Sequence, residues 1–197
     1  LKRLESSVQA FRISITNHID FLERLKKCLA QGKTLTKQTF NRQILYMDEE
    51  ISQEFLEELE EFEKDNYRMD DLFADIDKDI NLLRNKVFSR VAKIQPEEDA
   101  KLNKLKDDLI SLSKKGQIII FTYYTDTLDY LYKNLSKTKE LSKFKIEQIS
   151  GSTRTKERGR IVNDFLNHKI DILISTDVLS EGMNLQSAKI IINYDLH

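Results

Sequence analysis

The feature that most constrains this chain is a change of period at its only proline, Pro96. Beyond it, short apolar runs alternate with amphipathic stretches: strand "QIIIFT", helix "TDTLDYLYKNL", strand "KIEQIS", loop "GSTRT", helix "KERGRIVNDFLN", strand "DILIST", a polar loop, and strand "AKIIINY". Strands that alternate with helices pair in parallel, because each must return to the same end of the sheet through a right-handed crossover. Such strands are covered on both faces, so the continuous runs at 118–121 and 190–192 read as buried parallel strands. The lead-in "EEDAKLNKLKDDLISLSKKG" reads as a helix with acids in its first turn and a lysine pair before Gly116, matching the macrodipole at both ends.

Ahead of Pro96 the period is helical. Apolar residues recur at Val8, Phe11, Ile15, Ile19 and Leu22, then at Ile51, Phe55, Leu59 and Phe62, then at Phe73, Ile76, Ile80, Leu83 and Val87. That predicts three or more amphipathic helices and no strand of period two, with "AQGKT" as the breaker between the first helices. The expected organisation is therefore an α/β parallel sheet with flanking helices over 96–197, preceded by an all-helical region over 1–95.

Charge narrows the function classes. The net charge of −1 announces neither nucleic acid nor membrane, yet it hides segregation: Asp48 to Asp79 holds fifteen acidic residues against three basic ones, leaving the rest of the chain basic. A surface for nucleic acid is expected outside that block, which reads as the solvated face of helices. Cys28 is the only cysteine, so no intrachain disulfide is possible and a reducing, cytoplasmic setting is expected. No apolar run approaches the ~20 residues of a bilayer span, so no membrane partner is expected. His18, His168 and His197 have no metal-ligand spacing. The chain opens on Leu1 and stops just after its last strand at His197, and is read as an excised fragment.

In an open parallel sheet, ligands gather beyond the carboxyl ends of the strands. That rule puts 122–125, 150–154 and 176–184 along one edge. These loops share hydroxyls, amides near Gly151 and Gly182, and charges at Arg154, Asp177 and Glu181, a chemistry suited to phosphate oxygens. The same residue types also serve as turns and caps in any strand-to-helix loop.

Three stretches carry a resemblance. "IIIFTYYTDTLDYL", "ISGSTRTKERGRIVNDF" and "ILISTDVLSEGMNLQSAKIIINYDL" resemble motifs IV, IVa and V of the second RecA-like lobe of superfamily 2 helicases, most closely the Swi/Snf-type ATPases of bacteria and archaea. The N-terminal "LKRLESSVQAF" is similar to the segment before an inserted helical region in long bacterial members. The resemblance implies that Thr176 contacts a nucleic-acid phosphate, that Asp177 organises the loop, and that Glu181, Gly182 and Asn184 lie at the nucleotide. It implies further backbone contacts from Thr122, Thr125, Gly151, Ser152 and Arg154, and one from Arg158 on the motif IVa helix. Two positions depart from the family pattern: Asn184 is polar where relatives are often acidic, and Thr155 stands where a glutamine is common. Gly159 inside this helix is expected to allow close approach by a neighbouring element.

The implied parent is an ATP-dependent translocase or helicase. Its partners would be DNA, double-stranded first and RNA second, and the N-terminal RecA-like lobe, which would bind most of the ATP and Mg2+. The chain lacks a phosphate loop, magnesium acids and arginine fingers, so it is expected to hold no catalytic residue and to be inactive alone. "GKT" at 32–34 lacks the glycine five residues earlier, where Lys27 stands, and has no preceding strand; "MDEE" at 47–50 follows too closely to complete such a lobe. The alternative class is a nucleotide-independent interaction module, with the helical half docking a partner and the sheet as scaffold.

Overall fold

The computed structural model describes residues 2–46, 56–179 and 188–195, the side chains of 42–46 and 179 excepted. In chain order the longer elements are α1 (Lys2–Ser6), α2 (Val8–Ala30), α3 (Lys37–Tyr46), α4 (Met69–Leu82), α5 (Ala100–Leu112), β1 (Ile118–Phe121), α6 (Thr125–Leu135), β2 (Ile146–Ile149), α7 (Thr155–Leu166), β3 (Ile172–Ser175) and β4 (Ile190–Asn193). They form two compact units. One joins Leu1–Ile13 to Ile94–His197, and the other is Ser14–Lys93. Helix α2 therefore begins in the first unit and ends in the second.

In the helical unit, the i, i+4 series of α2 buries Ile15, Ile19 and Leu22, and α4 buries Ile76 and Ile80. Ion pairs Lys26–Asp77 and Arg84–Glu23 lie between α2 and the helix that follows Met69. That helix passes through a π turn at Leu83–Phe88 before its last turn at Ser89–Val91. Cys28 sits in a cluster with Leu35, Phe40, Leu56 and Leu59, and burial pushes its thiol above the ordinary range. A buried, protonated thiol is a packing group rather than a nucleophile.

One expected helix is not continuous. Residues 51–55 lie outside the described set, and helical backbone ends at Glu57, so Leu59 and Phe62 are not on a helix. Instead Thr34 N–H donates to Glu60 C=O at 2.9 Å, Phe62 N–H donates to Gly32 C=O at 3.0 Å, and Lys33 forms an antiparallel bridge with Glu61. Gly32, at φ +75°, makes the turn that allows this pairing. The "GKT" stretch thus follows a helix rather than a strand, and Lys33 Nζ is 2.7 Å from Glu61. "MDEE" lies outside the described residues.

The sheet unit has a four-stranded parallel sheet in the order β2-β3-β1-β4, with Ile118 opposite both Ile172 and Ile190. Side chains alternate across it. Ile118, Ile120, Ile172 and Ile174 pack against Leu102, Leu105 and Leu109 of α5 and Leu128, Leu131 and Leu135 of α6. Ile119, Ile149 and Leu173 pack against Ile161, Val162 and Phe165 of α7. Asp99 caps α5, accepting from Leu102 N–H at 3.0 Å, after Gln95 and Glu98 close a capping box behind Pro96.

The run at 190–192 departs from expectation. It is a parallel strand, but among the described residues it is at the sheet edge and only one face is covered: Ile190 and Ile192 reach the α5/α6 layer while Ile191 is 62% exposed. An apolar run shows strand propensity but does not show which faces are covered.

Candidate nucleic-acid interface

The carboxyl ends of the four strands lie side by side because the ladders continue past them. Thr122 N–H donates to Ser175 C=O at 3.0 Å, Thr176 N–H to Ile149 C=O at 3.2 Å, and Tyr194 N–H to Phe121 C=O at 2.8 Å. These bonds bring Thr122, Ser150, Thr176 and Asp195 to one edge, although 73 residues separate Thr122 from Asp195.

After β2, the loop is closed by its own hydroxyls. Thr153 Oγ1 accepts from Ser150 N–H at 3.0 Å, Thr153 N–H donates to Ser150 C=O at 3.1 Å, and the Ser150 and Ser152 hydroxyls are 2.8 Å apart. Gly151, Ser152 and Arg154 are exposed on this turn. Among the described residues, a Cβ at Gly151 would meet Val178 at an ordinary 3.8 Å. Arg158 lies one turn into α7, partly buried, with long contacts of 3.5 and 3.4 Å to the carbonyls of Ser150 and Thr153. Its guanidinium faces the inner side of the loop, and its Nε has no hydrogen-bond partner among the described residues.

After β3, Thr176 is 4% exposed, and Ser175 Oγ donates to its carbonyl at 2.7 Å. Asp177 is exposed and opens a short 3-10 turn. Glu181, Gly182 and Asn184 lie outside the described residues.

After β1, Thr125 is exposed in the first turn of α6, whereas Thr122 is 3% exposed and turned inward. Thr122 Oγ1 donates to Asp195 Oδ2 at 2.8 Å, and Tyr123 N–H donates to the same oxygen at 2.6 Å. Asp195 Oδ1 is buried without a hydrogen bond among the described residues, 3.6 Å from Lys101 Nζ. That ammonium lies 3.9 Å over the Tyr194 ring and donates to the carbonyls of Glu5 and Ser6 at 2.7 and 3.1 Å. Burial lowers the Lys101 pKa, while the Asp195 charge opposes that shift. Tyr130 and Tyr194 are both pushed far up, by burial first and by the negative charge of Asp99 second.

The amino-terminal turn completes this side of the edge. The Ser6 and Ser7 hydroxyls bond Thr127 Oγ1 at 2.7 and 2.8 Å, and Arg3 pairs with Asp126 while its guanidinium stacks 4.7 Å over Tyr124. None of Arg3, Ser6, Ser7, Lys101, Thr127 or Asp195 stood out in the sequence. Only the aspartate closing "INYD" offered a local signal, as an acid at the end of an apolar strand.

The outer face of α7 corrects one expectation. Among the described residues a Cβ at Gly159 would have nothing within 4 Å, so none of the described elements approaches it; α7 packs through Ile161, Val162 and Phe165 and leaves Gly159 exposed. No group of three or more His, Cys, Asp or Glu that could hold a metal occurs among the described residues, and no helix there is long and apolar enough to cross a membrane.

Comparison with known proteins gives this edge a family. Residues 100–197 match the helicase conserved C-terminal domain. A DEAD-box ATP-dependent RNA helicase 38 of Oryza sativa subsp. japonica is 33% identical over 102 residues, covering 51% of this chain and 19% of the relative. The ATP-dependent RNA helicase FAL1 of Kluyveromyces lactis is 34% identical over 80 residues, covering 41% and 19%. The chain spans about a fifth or less of the curated relatives it matches. Among solved structures, S. cerevisiae Dbp5 bound to RNA and ADP BeF3 aligns with 30% identity over 49% of this chain and 24% of its own, TM-score 0.44. The C-terminal part of the Fun30 ATPase domain aligns with 24% identity over 67% and 46%, TM-score 0.45. The Swi/Snf type expected from the motifs is not shown by these relatives, which are ATP-dependent RNA helicases. Residues 100–197 of this chain are a helicase conserved C-terminal domain, built on a parallel sheet with flanking helices.

Proposed function

We propose that this chain supplies the second motor lobe of an ATP-dependent nucleic-acid translocase, and that its strand-end edge grips a phosphodiester backbone. The observation that carries this reading is the line of exposed Thr125, Gly151, Ser152 and Arg154 beside buried Thr176 on one edge of a helicase C-terminal domain. Hydroxyls, open amides and one guanidinium recognise phosphate oxygens without reading bases. Arg158 and Asp177 act from within the same loops, the first by holding the turn at Ser150. Glu181, Gly182 and Asn184 are assigned to the nucleotide by their motif, with ATP and Mg2+ held chiefly by a companion N-terminal lobe of the same parent.

The backbone is common to both nucleic acids, so the track is set elsewhere. Motif character puts duplex DNA first, and the names of the relatives make single-stranded RNA the second arm. The test is a salt titration of the parent protein binding duplex DNA and, separately, single-stranded RNA. Arg154→Ala should lower the slope of log K against log salt by about one on the true track, with little dependence on base sequence. An unchanged slope on both would refute a backbone grip at this edge. A change on RNA alone would make the parent an RNA helicase.

A further inference from the structure

We propose that Asp195 and Lys101 are positioning residues for backbone binding, which together with the amino-terminal turn brace the loop between β1 and α6. The inference rests on the proposed grip and adds residues that touch no ligand.

The loop is only three residues long, 122–124, and its shape is set from below by one atom. Asp195 Oδ2 accepts both the Thr122 hydroxyl and the Tyr123 amide, at 2.8 and 2.6 Å. Charge-assisted bonds of that length are the strong kind, and two on one oxygen fix the loop's direction as it leaves the sheet. From the other side, Ser6 and Ser7 hold Thr127 in the first turn of α6, and Arg3 holds Asp126 and Tyr124. Exposed Thr125 lies between the two anchors.

The carboxylate brings a difficulty that Lys101 resolves. Asp195 is 7% exposed, and among the described residues its second oxygen has no hydrogen bond. A buried carboxylate at a phosphate-binding edge would repel the backbone that the edge must hold. Lys101, at 3.6 Å, cancels that charge, and the carbonyls of Glu5 and Ser6 take its donors. One ammonium thereby ties the end of β4, the start of α5 and the amino-terminal turn to the same loop. The two side chains should behave as a unit: losing the lysine alone exposes the charge, while neutralising both leaves an uncharged pair of similar shape.

The test uses the parent protein and a fluorescein-labelled 30-base-pair duplex, with single-stranded RNA of equal length in a parallel arm. Asp195→Ala should weaken binding roughly tenfold by removing both loop bonds, and Lys101→Met should do so by a similar factor. Neither should alter the salt slope, because neither touches a phosphate. The pair Lys101→Met with Asp195→Asn should recover to within about threefold of wild type, since asparagine keeps the acceptor and no charge is left uncancelled. A residue needed only for folding would lower melting temperature and binding together and would gain nothing from the second change. Binding by Asp195→Ala equal to wild type, or a double variant no better than Lys101→Met, overturns the proposal. If Asp195→Ala fails to fold, the comparison of Lys101→Met with the double variant decides alone. Arg154→Ala runs alongside: a changed slope there with silent Asp195 and Lys101 variants sinks the brace and spares the grip, and silence from all three sinks both.

Discussion

Replacing Gly159 with alanine should stabilise the sheet unit. The residue is interior to α7, an exposed position five residues into a twelve-residue helix. Among the described residues a Cβ there would find nothing within 4 Å. Glycine in a helix interior costs about 1 kcal/mol relative to alanine through backbone entropy, and here no packing gain opposes that cost. The full amount should therefore be recovered, a rise of about 2–4 °C in melting temperature for a chain of this size. In urea, with a slope of about 1–3 kcal/mol/M, the midpoint should move up by roughly half a molar. The assay is far-ultraviolet circular dichroism across a urea titration, with an unchanged slope as the condition for reading the shift as stability. Gly116→Ala is the opposing control: its φ is +141°, and a Cβ would fall 2.7 Å from the Lys189 side chain, so the midpoint should fall. A lower midpoint for Gly159→Ala would refute the description of this helix face as open.

Gln117→Leu should destabilise by about 2 kcal/mol, because the buried amide donates to the carbonyls of Phe165 and Ile170, both at 2.7 Å, and leucine keeps the bulk but offers neither bond; an unchanged urea midpoint would contradict it. Alkaline pH should weaken the sheet unit. Tyr130 and Tyr194 are held above the ordinary phenol range in the folded state, so their contribution is whole below pH ~10 and is lost as pH rises beyond it. Lys101, lowered by burial, acts with the opposite sign, one group against two. Urea midpoints that hold steady past that pH, or a decline that Tyr194→Phe fails to flatten, would count against this assignment. The 197-residue chain alone should show no hydrolysis of ATP stimulated by nucleic acid, and turnover that follows this chain through repeated purification would overturn that expectation.

Period and local chemistry make much of the sheet unit legible in the sequence. Alternating runs after Pro96 specified four strands and the helices between them, because a strand buried on both faces and a helix buried on one leave different apolar spacings. The line of Thr125, Gly151, Ser152 and Arg154 was legible for a related reason: in a parallel sheet every carboxyl end points the same way, so loop order in sequence becomes neighbourhood in space. What failed locally was the series at Leu59 and Phe62, where apolar residues at helical spacing pair as extended chain against the turn at Gly32. Periodicity records which residues seek burial, and two backbones can satisfy the same record over so few residues.

The tertiary structure alone decided whatever depends on partners far apart in sequence. That β4 is the edge strand among the described residues, with Ile191 open, follows from the order β2-β3-β1-β4, which no run of isoleucines encodes. Thr122 was expected to offer its hydroxyl to a nucleic-acid backbone, as the family resemblance implies; it turns inward because Asp195, 73 residues on, arrives beneath it when β4 pairs with β1. Likewise Ser6 and Ser7 are unremarkable polar residues until Thr127, some 120 positions away, is brought against them. A side chain's rotamer and its charge balance depend on atoms within a few ångströms, and those neighbours come from packing rather than from adjacency in the chain.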